Sequence, residues 1–162
     1  MFKDIRIALI FSVVLLDIIG IGIIFPIIPD LLIEVGIDQN ASAAFWGGLL
    51  SSSYAFTQFV FSPTIGTLSD IFGRRPILLL ASLLLGLDYL VMGFAETIFI
   101  LFIGRIIGGL AGGTIATGTA YLADISDTKD KKKNFAIIGA AFGLGFILGP
   151  IIGGVIGEIS VR

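Results

Sequence analysis

The chain contains no cysteine and no histidine. Disulfides, thiolate chemistry and most transition-metal sites are excluded together. Charge is scarce too: charged residues make up 14% of the chain, and the net charge is only -2. No patch of lysine and arginine carries interleaved aromatics, so no nucleic-acid partner is indicated. The few acids fall on different predicted helices without the oxygen-ligand spacing of a calcium loop, so neither a metal nor a cofactor is indicated. No nucleophile–base pair of the kind an enzyme needs stands out. What the chain does have is apolar sequence. Hydrophobic residues make up 56% and mean hydropathy is +1.08, well outside the range of soluble domains. This is an integral membrane protein whose first partner is the lipid bilayer.

Crossing a ~30 Å hydrocarbon core takes roughly 20 helical residues. Runs of that length fall at about 6–29, 43–66, 76–95, 98–123 and 134–157. The fold class is therefore all-α, with five transmembrane helices. Only Glu96 and Thr97 separate the third run from the fourth, so these two are expected as antiparallel neighbours. The first run carries Asp17 and lacks a small-residue cleavage site, which makes it a retained helix and not a signal peptide. Lys3 and Arg6 precede the first run, Arg74 and Arg75 follow the second, and Lys129, Lys131, Lys132 and Lys133 follow the fourth. Cytoplasmic loops keep the excess of lysine and arginine, so the N-terminus is expected inside and the C-terminus, after five spans, outside.

Glycine and proline punctuate the spans. Pro26 and Pro29 close the first run, where the helix should bend or open. Gly104, Gly108, Gly112, Ala116 and Ala120 repeat every four residues in the fourth, a small-residue stripe that lets helices approach closely in lipid. In the fifth, Gly145 and Gly149-Pro150-Ile151-Ile152-Gly153-Gly154 combine close packing with a kink or hinge.

Between the second and third runs lies Gly66-Thr67-Leu68-Ser69-Asp70-Ile71-Phe72-Gly73-Arg74-Arg75-Pro76, a short charged loop. Gly66 and Gly73 allow tight or left-handed backbone there, and Pro76 suits the first turn of the next helix. Asp70 and Arg74 share a face if the segment is helical. From spacing alone, the loop could be no more than a topogenic turn.

Asp17, Asp88 and Arg105 lie inside spans, where each costs roughly 2.5–3.5 kcal/mol at the helix centre. Membrane proteins seldom carry such residues without a use. With a rise of ~1.5 Å per residue, Asp17 falls near the midplane, while Asp88 and Arg105 fall in the outer half at comparable depth and can meet. They form either a static ion pair or part of a proton site. No cation lies at the depth of Asp17, so it is protonated, hydrated or paired with a part of the molecule outside this chain. An acid so placed can load and release a proton as its exposure changes. Tyr54 and Gln58 share a face of the second span, lining a polar cavity or hydrogen-bonding between helices.

Together these motifs resemble a family. Residues Gly66 through Arg75 are similar to the signature loop of the major facilitator superfamily, in particular of its drug/proton antiporters, tetracycline exporters among them. Leu16-Asp17-Ile18-Ile19-Gly20-Ile21-Gly22 through Pro26 and Pro29 resembles the first-helix motif, and Leu87-Asp88-Tyr89 a third-helix acidic site. Gly104-Arg105-Ile106-Ile107-Gly108-Gly109 through Asp124 resembles the fourth-helix motif, and Gly145 through Gly154 the antiporter motif of the fifth. The resemblance covers all five spans in order.

The resemblance implies proton-coupling roles for Asp17, Asp88 and Arg105. It further implies a gating loop of Gly66, Asp70, Gly73, Arg74 and Arg75, with Asp124 opposite Arg74 or Arg75. It places the exporter helix bend at Gly145, Gly149, Pro150, Gly153 and Gly154. Ile71 departs from the pattern, which is usually basic there. The family has two six-helix bundles with substrate between them. Residues 1–162 are thus expected to be a partial N-terminal bundle that lacks its sixth helix and the C-terminal bundle. The implied protein is a proton-driven antiporter of the inner or plasma membrane, exporting a small lipophilic compound. A nutrient symporter or uniporter, or a truncated non-transporting fragment, are the alternatives.

Overall fold

The computed structural model describes residues 5–37 and 41–159. Among the described residues every regular element is a helix: α1 Ile5–Glu34, α2 Ala41–Phe72, α3 Arg74–Gly93, α4 Ile98–Ala111, α5 Thr114–Ile125 and α6 Lys131–Ile159. α4 and α5 together make one interrupted span, so the bundle has five. Four of these, Ile5–Glu34, Arg74–Gly93, Ile98–Ile125 and Lys131–Glu158, are long and apolar enough to cross a membrane. α2 is longer still at 32 residues, but Ser51, Ser52, Ser53, Thr57 and Gln58 lower its hydropathy.

Two apolar clusters hold the bundle. Leu31 and Leu32 of α1, Leu50 of α2, Met92 at the end of α3 and Leu101 of α4 pack in one. The second joins Ile10, Val14 and Ile18 of α1 to Leu122 of α5 and to Ile138 and Ala141 of α6. Along the α4–α5 span, the buried polar residues Arg105, Thr114 and Thr117 fall between Leu101 and Leu122. The outer surface is apolar: Phe25, Phe59, Leu83, Phe94 and Phe99 are all exposed.

The helix limits differ from the expected ones at three places, each with a local cause. First, α1 runs through Pro26 and Pro29 as helix to Glu34 and does not open there. Its C-terminal half is held along α6, its most extensive packing partner. A Cβ on Gly153 of α6 would lie 2.9 Å from the Pro26 ring, so α6 packs directly on the proline.

Second, the loop expected from Gly66 to Pro76 shrinks to one residue. α2 continues to Phe72 and α3 begins at Arg74. Gly66 is inside the helix, with open space where its Cβ would stand. Gly73 alone turns the chain, at φ 96° and ψ 151°, a backbone conformation that L side chains rarely adopt. Gly73→Ala is therefore expected to destabilise by about 1 kcal/mol or more, whereas Gly66→Ala gains up to about 1 kcal/mol of helix propensity. Thermal unfolding of the detergent-solubilised protein checks the pair: the two midpoints should move in opposite directions.

Third, the fourth span breaks at Gly112 and Gly113 instead of running unbroken over 98–123. Four glycines among residues 108–113 weaken the helix. The Gly112 amide bonds back three residues to the Gly109 carbonyl at 3.1 Å, and Thr117 N–H restarts the ladder on Gly113 at 2.8 Å. At the other end, the Thr97 hydroxyl caps α4 by accepting from Ile100 N–H.

Candidate functional site

The site is built where α1, α2, α3 and α4 meet. Gly104 and Gly108 share a face of α4, and Asp88 of α3 nests against both. A Cβ on Gly104 would lie 2.8 Å from Met92 Cγ and 3.1 Å from Asp88 Oδ1, and one on Gly108 would overlap the Asp88 carboxylate. The small-residue stripe thus has a concrete use: it lets α3 bring an acid into the helix interface.

Arg105, between those glycines, donates from Nη2 to Asp88 Oδ2. The pair is buried, with side-chain exposures of 6% and 0%. The Arg105 guanidinium carbon also sits 5.2 Å from the centre of the Tyr54 ring, within cation–π range. The meeting of Asp88 and Arg105 expected from helix rise is observed.

Asp17 of α1 is 2% exposed. Among the described residues no basic side chain lies within ion-pair distance of it. One helical turn along α1, Gly20 is covered by the hydroxyl of Tyr89, the chain neighbour of Asp88 in α3. The two acids therefore belong to one neighbourhood although 71 residues separate them in sequence.

Tyr54 and Gln58 line a cavity of about 340 Å³ together with Phe25, Ile28, Ser51 and Arg105. Gln58 does a second thing as well. Its Nε2 donates to the Gly112 carbonyl at 2.9 Å, and its side chain fills the space a Cβ on Gly112 would need. Cavity lining and interhelical bonding are thus both true of Gln58, which plugs the break between α4 and α5.

A second cluster sits at the α2–α3 turn. Arg74 makes three contacts: Nη2 with Asp70 Oδ1 at 2.5 Å, Nε with Asp124 Oδ2 at 3.0 Å, and Nη1 donating to Ser69 Oγ at 2.6 Å. Arg74 is the partner of Asp124. Arg75 instead turns to a groove with Leu9, Leu78 and Tyr121. Ser69, only 1% exposed and also donating to the Gly66 carbonyl at 2.7 Å, is a member that sequence reasoning missed. Its position next to Asp70 was the available signal.

The glycines of α6 form a seam with α1, away from the ion pair. A Cβ on Gly145 would lie 2.6 Å from Ile18 Cγ2, one on Gly149 2.7 Å from Gly22 Cα, and one on Gly153 2.6 Å from the Ile23 carbonyl oxygen. Gly154 faces open space, and α6 stays helical through Pro150.

Comparison with known proteins follows the same order of elements. The family model described as Major Facilitator Superfamily matches residues 10–162. The tetracycline resistance protein, class H, of Pasteurella multocida is 44% identical over 138 residues, which is 85% of this chain and 34% of that protein. The class B tetracycline resistance protein of Escherichia coli is 42% identical over 155 residues, 96% of this chain and 38% of that protein. A crystal structure of the human organic anion transporter MFSD10 (TETRAN) superposes with a TM-score of 0.82 at 28% identity, covering 96% of this chain and 42% of that one. The chain thus spans about a third of the length of the curated relatives it matches.

Proposed function

Because the chain belongs to the Major Facilitator Superfamily, we propose that it forms the N-terminal part of a proton-coupled efflux antiporter for a small lipophilic compound, working by alternating access. The observation that carries this reading is the buried Asp88–Arg105 pair beside a second buried acid, Asp17, with Arg105 also walling the cavity of Tyr54 and Gln58. A carboxyl that gains a proton loses its charge, and a neutral group crosses an apolar interface far more readily than a charged one. Proton binding at Asp17 or Asp88 then licenses rocking of this bundle against its partner bundle, and proton release resets it. The tetracycline resistance relatives support drug export as the direction of transport.

In the complete transporter, the lysines and arginines put the N-terminus and the Arg74 cluster on the cytoplasmic side. Arg74, with Asp70 and Asp124, then latches the cytoplasmic ends of α2, α3 and α5 together. Exposed pairs of this kind are each worth about 0–1 kcal/mol, a strength suited to a contact that must open and close.

The test is Asp17→Asn in the full-length protein, assayed in inside-out vesicles. Efflux driven by a pH gradient should fall by an order of magnitude or more, while drug binding persists. Undiminished gradient-driven transport by the variant would remove Asp17 from the coupling mechanism. A second reading, exchange of an organic anion, is favoured by the presence of Arg105 in the cavity wall and by the likeness to MFSD10. Transport of an anionic dye without response to a pH gradient would select it.

A further inference from the structure

Five buried side-chain atoms among the described residues have no protein partner: Tyr54 Oη, Tyr89 Oη, Asp88 Oδ1, Arg105 Nε and Thr117 Oγ1. Four of the five belong to the site just described. Leaving one such group unsatisfied costs about 1–3 kcal/mol, so four in one neighbourhood mark a place where polar atoms are kept for use.

The two hydroxyls are placed with some care. Tyr89 reaches from α3 to α1, and its ring and hydroxyl occupy the space that a Cβ on Gly20 would need. Gly20 is one turn along from Asp17 on the same helix face. The Tyr54 ring lies under the Arg105 guanidinium, and its Cε2 is 3.3 Å from where a Cβ on Gly108 would stand. Asp88 holds Arg105 through Oδ2 and keeps Oδ1 free. The titratable and charged groups packed around the two hydroxyls are Asp17 of α1, Asp88 of α3 and Arg105 of α4. Neither α5 over 114–120 nor α6 over 134–157 carries an ionisable side chain.

We propose that Asp17 and Asp88 share one proton through the hydroxyls of Tyr54 and Tyr89 and a bridging water. This rests on the proton-coupled reading above and names the groups that move the proton within it. A phenolic hydroxyl both accepts and donates. Protonated Asp17 gives its proton towards a tyrosine oxygen, that hydroxyl releases its own proton through water, and Asp88 Oδ1 takes it up. The tyrosines end neutral, and the negative charge has passed from Asp88 to Asp17. Arg105 loses its counter-charge in the same step, which ties proton position to the cavity wall. The unpartnered Tyr54 Oη, Tyr89 Oη and Asp88 Oδ1 would give such a water the two to four polar partners it needs.

The experiment is a pH titration of the complete protein in liposomes by infrared difference spectroscopy, with the carboxylic-acid bands assigned by Asp17→Asn and Asp88→Asn. In the wild type both bands should change together in each macroscopic step, as coupled sites do. In the Tyr54→Phe, Tyr89→Phe double variant each band should change in a step of its own, and both C=O stretches should move up towards the frequency of an unbonded acid. Proton-driven efflux should fall roughly tenfold or more in that variant, and in Tyr89→Phe alone, which lies outside the Tyr54–Gln58 cavity, it should fall with the drug KM unchanged. Phenylalanine keeps the ring packing, and if the double variant does not fold, the single variants give the same readout. Wild-type titration and efflux in the phenylalanine variants would overturn proton sharing while leaving the transport reading intact. Coupled bands in a protein that ignores a pH gradient would do the reverse.

Discussion

Arg105→Leu is expected to lower stability by about 3–5 kcal/mol, the cost of leaving one member of a buried ion pair alone. Asp88 is fully buried, its carboxylate is pressed against Gly104 and Gly108, and its one charged partner among the described residues is Arg105. A bridging water on Asp88 Oδ1 does not supply the positive charge that the guanidinium does. The double variant Arg105→Leu, Asp88→Leu removes both charges and should recover most of that loss, because an apolar pair of suitable volume often replaces a buried ion pair without penalty. Thermal unfolding followed through Trp46, the only tryptophan of the chain, provides the measurement; Trp46 stacks edge-on with Phe102 of α4 at 6.3 Å and so reports on the α2–α4 contact. The pair of variants also separates structure from function. A static ion pair predicts that the stable double variant transports normally; a proton site predicts that it is stable and inactive. A single variant as stable as the wild type would show that Asp88 does not depend on Arg105 for compensation of its charge.

Gly149→Leu is the second large effect. Its Cβ would stand 2.7 Å from Gly22 Cα and 2.8 Å from the Ile19 carbonyl oxygen. Both are backbone atoms, so no side chain can swing aside, and α1 must move off α6. Overpacking costs typically about 1–3 kcal/mol, and a leucine wedged between two backbones belongs at the upper end of that range. The consequence reaches the site, since α1 carries Asp17 and Gly20. Gly154→Ala, into open space on the same helix, should leave the unfolding midpoint within a degree or two, and it controls for loss of glycine alone. Equal midpoints for the two variants would mean that the α1–α6 seam is looser than the contacts indicate.

Much of the bundle was legible before any coordinates. Apolar runs located the spans, and a constant helix rise placed Asp88 and Arg105 at one depth, where they pair. Ends and breaks were less legible. Gly66 looked like a turn because glycine is common in turns, yet only Gly73 has the positive φ that demands it. The break at Gly112 could be suspected from its glycines, but its plug, Gln58, comes from 54 residues away.

By itself, then, the sequence determined the membrane class, the five spans and their order, the family pattern and the three ionisable residues that the bundle must accommodate. Length and hydropathy act locally along the chain, so a one-dimensional reading captures them. Only the tertiary structure decided that Tyr89 lies over Gly20, that Gly149 meets Gly22, and that Asp124 pairs with Arg74 and not Arg75. Each of these depends on how a helix is rotated about its own axis. In a soluble protein an apolar stripe reveals that rotation; here lipid and core are equally apolar, and close packing between facing helices sets it instead.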